Sequence, residues 1–85
     1  MITWSEFNSY ALDKKIKALY ESGTFITAIR YYRYKVNLYL LDNHYVEVFY
    51  HHKKDLIEKI LLLNPRHTRM KFYYDQIKLP QDLVQ

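Results

Sequence analysis

At residue 24 the spacing of apolar side chains changes from the 3.6-residue turn of a helix to every second residue, the period of a strand. That switch divides the chain into a helical start and a sheet. Before it, residues 3–22 read as a helix. Trp4, Phe7, Ala11 and Ala18 share one side, and Leu12, Ile16 and Leu19 widen the stripe to about half the circumference. Glu6, Asp13, Lys17 and Glu21 occupy the opposite side. Thr3 and Glu6 stand at capping-box spacing, where each side chain satisfies a backbone N–H at the helix start. Gly23, the only glycine, stands where a left-handed residue closes a helix. Lys15 falls inside the apolar arc and is expected to lay its stem along the core edge. A break near Asp13 into two shorter helices is the alternative.

Beyond the switch, residues 25–34 are rich in β-branched and aromatic side chains, and Val36, Leu38 and Leu40 alternate with Lys35, Asn37 and Tyr39. Asp42, Asn43 and His44 supply turn chemistry. A three-residue loop pairs Leu40 with Val46, Leu38 with Val48 and Val36 with Tyr50, keeping apolar partners together. A two-residue loop sets Glu47 opposite Leu38. Since a one-residue slip turns the whole strand over, the hydrophobic pattern selects the three-residue register. His51, His52, Lys53, Lys54 and Asp55 form the next turn. Residues 56–63 suit either a strand or a helix capped by Asp55 and Glu58. A strand is expected, because two short helices would leave more apolar sheet than they cover. Asn64 and Pro65 end that element. After a basic loop over 66–71, the piece 70–79, with Phe72, Tyr73, Tyr74, Ile77 and Leu79, reads as a helical turn or edge strand closing the core. Pro80 ends it, and 81–85 is expected to fray. The expected fold is α+β: an N-terminal helix (3–22) packed on a three- to four-stranded antiparallel meander (24–63), with a short closing element (66–80), in one domain spanning 1–85.

Eighty-five residues fit a single domain, and 49% hydrophobic content is too high for intrinsic disorder. The absence of cysteine excludes a disulfide scaffold, a thiolate zinc site and thiol catalysis, and fits a reducing compartment. No apolar run approaches the roughly 18–20 residues of a membrane span, and the stretch from Met1 to Phe7 lacks signal-peptide character, so the expected location is the cytoplasm, away from membranes. A single glycine excludes phosphate loops of the P-loop or Rossmann kind. Ten tyrosines are too many for the interior of a domain that buries only ~60–65% of its unfolded surface, so many rings must sit with the hydroxyl in water.

The runs Tyr45-Val46-Glu47-Val48-Phe49-Tyr50, Ile57-Glu58-Lys59-Ile60 and Tyr73-Tyr74-Asp75-Gln76-Ile77-Lys78-Leu79 resemble a pattern of short uncharacterised bacterial proteins frequent in cyanobacteria. The resemblance covers residues 24–80 and consists of spaced apolar and tyrosine positions without a catalytic motif. It implies a strand over 56–63 and no particular activity.

Two function classes follow from the residues. One helix covers one sheet face, which leaves Tyr39, Leu41, Tyr45 and Phe49 on the other as an expected interface for a protein partner or a second copy. This non-catalytic binding is the first expectation. The alternative is nucleic acid, RNA in particular. Arg30, Tyr32, Arg33 and Lys35 lie in a run that interleaves three cations with three tyrosines, the composition that holds phosphates and stacks bases. Lys53 and Lys54 follow in a second basic cluster, and the bend near Arg33 and the Lys53 turn are expected at the same end of a meander. In size, basicity and a helix before an antiparallel sheet, the chain resembles RelE-like bacterial toxins, though their usual first strand has no counterpart here. That resemblance implies metal-independent RNA cleavage, with Tyr50, His51 or His52 transferring protons and Arg30, Arg33 and Lys53 on the phosphate. No cofactor and no metal is expected. His44, His51, His52 and His67 lack the H-E-x-x-H spacing, and neighbouring histidines on a strand point to opposite faces.

Overall fold

The computed structural model describes residues 2–63, 66 and 70–76. Asn64 and Pro65, the parts of the expected closing segment at 67–69 and 77–80, His67 among them, and the tail 81–85 lie outside the described residues. The elements are α1 (Trp4–Ser9), α2 (Leu12–Ser22), β1 (Thr24–Tyr31), β2 (Tyr34–Leu41), β3 (His44–His51), β4 (Leu56–Leu62) and α3 (Met70–Gln76). The fold is α+β, as the periodicity switch implies, with strand order β1-β2-β3-β4 and every pairing antiparallel.

The N-terminal helix is two helices, not one. Thr3 caps α1 by accepting the Glu6 N–H at 3.2 Å. The end of α1 tightens, with the Tyr10 N–H donating to the Phe7 carbonyl and the Ser9 hydroxyl donating to the Glu6 carbonyl at 2.6 Å. Such local bonding competes with the helical ladder. Tyr10 and Ala11 are extended, and α2 starts afresh. The break brings Phe7 of α1 and Ala18 and Leu19 of α2 into one buried cluster. Lys15 sits at the edge of that core, its Nζ 5.8 Å from the Phe7 ring centroid.

Gly23 is not left-handed. Its φ of −86° and ψ of 160° are extended, and its N–H donates to the Leu19 carbonyl. Glycine is required for a different reason: a Cβ there would meet the Leu19 oxygen at 2.8 Å.

The β2–β3 register differs from the expected one. The loop is the two residues Asp42 and Asn43, with φ of 48° and 62°, the paired left-handed geometry of a tight hairpin. Glu47 therefore does stand opposite Leu38, and Val36 pairs with Phe49. The hydrophobic argument fails because β3 has no wet side: Val46, Glu47, Val48 and Phe49 are all buried. Leu41, Val46 and Val48 pack beneath α1 and α2, whereas Ile29, Val36, Leu38, Phe49 and Leu63 pack against Met70 and Tyr73 of α3. The carboxylate on that second face accepts the Tyr73 hydroxyl at 2.9 Å. A partner supplied from 26 residues away makes the rejected register the stable one.

Both edge strands are irregular. The β1–β2 register shifts at Ile26, and Glu58 is an extra residue in β4 opposite the step from Phe49 to Tyr50. Lys59, exposed on the β4 edge, lays its Nζ 4.8 Å from the Phe49 ring centroid. Bulges and an edge lysine blunt an edge against further strand pairing.

Candidate nucleic-acid interface

The meander places the β1–β2 tip and the β3–β4 tip at one end of the sheet, because Tyr34 at the start of β2 pairs with His51 at the end of β3. The first tip is Tyr32 and Arg33, between the paired Tyr31 and Tyr34. The second runs from His52 to Asp55. Between them lies an open cleft of about 500 Å³, lined by Arg30, Tyr32, Arg33, His51, His52 and Lys53. Three cations, two imidazoles and a phenol ring thus converge from two turns that are 20 residues apart in sequence (Arg33 to Lys53).

Tyr32 is 82% exposed and has φ of 57°. An aromatic residue held left-handed is strained, and the strain persists only where the surroundings enforce it. Here the neighbours do so. Tyr31 meets Tyr32 edge-on at 4.7 Å and is itself wedged edge-on against Phe49 and Phe72. The ring that faces solvent is carried by one locked into the core.

The second tip is braced by its own side chains. His51 is buried, and its Nδ1 accepts the Lys54 N–H at 3.2 Å, which places the ring proton on Nε2. The Tyr50 hydroxyl donates to Asp55. That bond, followed by burial, pushes the Tyr50 phenol above its ordinary value. The Tyr34 hydroxyl donates to Glu58 at 2.7 Å, and Lys54 Nζ lies 3.4 Å from the other Glu58 oxygen. The Tyr34 bond, and then Lys54, hold the Glu58 carboxyl below its ordinary value, while the same bond raises the Tyr34 phenol. Asp55 and Glu58, which the sequence pattern reads only as the cap of an alternative helix, instead hold the tyrosines of the neighbouring strands, with Glu58 also paired to Lys54.

Of the expected nucleic-acid residues, Arg30, Tyr32, Arg33 and Lys53 come together. Lys35 instead stands across the ladder from Arg30 and Tyr50, and Lys54 turns to Glu58. Of the expected proton-transfer residues, His51 and His52 line the cleft and Tyr50 does not, its ring lying edge-on to His52. The four expected interface residues do not share a face. Tyr39 and Leu41 belong to the side under α1 and α2, and Tyr45 and Phe49 to the side under α3. Leu41 and Phe49 are buried. The two-residue loop causes this split: Tyr39 and Leu41 pack with the α1 and α2 cluster and Tyr45 and Phe49 with the α3 cluster, so neither pair is left on a bare side. Among the described residues no group of His, Asp or Glu is arranged to hold a metal ion, and no helix is long and apolar enough to cross a membrane. In comparison with known proteins, the chain matches no family model, and no curated protein and no solved structure matches it.

Proposed function

We propose that the chain is a non-catalytic module that binds single-stranded nucleic acid in the cleft between its two hairpin tips. The observation that carries this reading is the convergence of Arg30, Arg33 and Lys53 around the exposed Tyr32 ring. Cations hold phosphates by releasing counterions, and an exposed aromatic face stacks a base. Binding rather than cleavage is favoured by the engagement of two of the three expected proton-transfer groups. The Tyr50 hydroxyl is given to Asp55, and the Nδ1 of His51 to the loop backbone.

The test is fluorescence anisotropy with a labelled single-stranded RNA at 50 and 200 mM salt. With about three phosphates neutralised and a slope of about −0.7 per phosphate, affinity is expected to fall roughly 20-fold between the two. Arg33→Ala and Lys53→Ala should each weaken binding and flatten the salt dependence by about 0.7. Tyr32→Ala should cost about 1–3 kcal/mol. No binding at the lower salt, or affinity indifferent to Arg33 and Lys53, rules the reading out.

A further inference from the structure

We propose that the cleft takes a phosphorylated end of the strand, a phosphate monoester, rather than an internal stretch of backbone. This rests on the nucleic-acid reading above and narrows it. Grooves that track a strand extend over about 4–16 nucleotides. The basic surface here is short. Its cations come from two adjacent tips, and the cleft of about 500 Å³ is of single-ligand size. Neither carboxylate of the β3–β4 side lines it: Asp55 accepts from Tyr50, and Glu58 accepts from Tyr34 and pairs with Lys54.

The donors also suit a monoester. An internal phosphodiester carries one negative charge, whereas a monoester carries about −1.5 to −2 at neutral pH and offers three acceptor oxygens. Arg33 presents a planar fork for phosphate, Arg30 lines the same cleft, and Lys53 adds a point charge. His51 lines the cleft with its proton on Nε2, the donor left over once Nδ1 has accepted the Lys54 N–H. Tyr32, exposed at the mouth, is placed to stack on the terminal base.

The experiment measures the affinity of the full chain for three forms of one RNA decamer: 5′-phosphorylated, 3′-phosphorylated, and hydroxyl at both ends. Adenosine 5′-monophosphate serves as the competitor. At least one phosphorylated form is expected to bind tenfold or more tightly than the hydroxyl form, and to outbind the mononucleotide. Arg33→Ala, at an exposed turn, should remove most of that preference, and Arg33→Lys should retain part of it. Circular dichroism confirms that both variants are folded. Equal affinity for all three decamers overturns the end preference while leaving cleft binding intact. The absence of binding to any decamer overturns both. Mononucleotide affinity equal to that of the phosphorylated decamer assigns the site to free phosphate monoesters and overturns the strand as ligand.

Discussion

Glu47 has no exposed surface and lies on the strand that both layers of helices cover. A buried carboxylate is tolerable only with donors in place, and Tyr73 is one of them. Tyr73→Phe keeps the ring and deletes the donor, and should cost about 1–3 kcal/mol in chemical denaturation. An unchanged midpoint would show that the hydroxyl contributes nothing to the pair. The same pairing of phenol and carboxylate recurs as Tyr34 with Glu58 and Tyr50 with Asp55. Tyr34 and Tyr73 each pack a ring in the core and give the hydroxyl to a carboxylate, so the phenol is satisfied where it is buried. The pairs also give stability a pH dependence of known sign. Glu58 is lowered from 4.5, so its share of stability is full above that value and lost as pH falls through the folded pKa. Tyr34 and Tyr50 are raised from 10.0, so their share is full below 10.0 and lost as pH rises through the folded values. Denaturation midpoints across pH should decline on both flanks, and Tyr34→Phe should shrink the acid decline. An acid limb identical in Tyr34→Phe and wild type would contradict this assignment.

At the scale of elements, two short segments set the architecture through backbone geometry. Asp42 and Asn43 both adopt positive φ, and Asp42 Oδ2 also accepts the Trp4 N–H at 2.7 Å, tying α1 to the hairpin while Trp4 stacks on His44. Asn43→Gly should be neutral or stabilising. Asn43→Val should destabilise by about 1–3 kcal/mol, since a β-branched residue resists the left-handed region. Equal midpoints for the two variants would contradict the strain argument. Gly23 shows a different use of the same residue, because its extended φ is open to any side chain and only the Leu19 oxygen excludes one. The sequence makes the four strands legible, β4 included, but reads α1 and α2 as one helix and leaves the closing element open between a helical turn and an edge strand. It does not show the geometry of their ends. Loop length follows from which of two pairings is buried better, and that comparison involves the other face of the strand.

At the scale of the whole molecule, the sheet separates two cores, one under α1 and α2 and one under α3, and β2 and β3 contribute to both. Shared strands couple the cores. Leu19→Ala on one side and Met70→Ala on the other should each cost about 2–5 kcal/mol and lower the midpoint of a single thermal transition. Two resolved transitions would show that the layers unfold separately. The open end of the sheet is left to the tips, so Arg30, Arg33 and Lys53 meet there by chain topology, not by the order of residues. All six residues lining the cleft were visible as two basic or histidine-rich runs. Their convergence depended only on a meander of even strand lengths, each of β1, β2 and β3 being eight residues.

Local chemistry, by itself, determined the helical start and the first three strands: apolar spacing distinguishes helix from strand, Thr3 starts α1, and turn-forming residues mark the hairpins. Tertiary structure alone decided which side of each strand faces which layer. Period-two patterning identifies faces only when one of them is wet, and β3 is buried on both. The choice then passed to a long-range contact, the Tyr73 hydroxyl on Glu47, which turns an apparent mismatch into the pairing that holds the sheet in register.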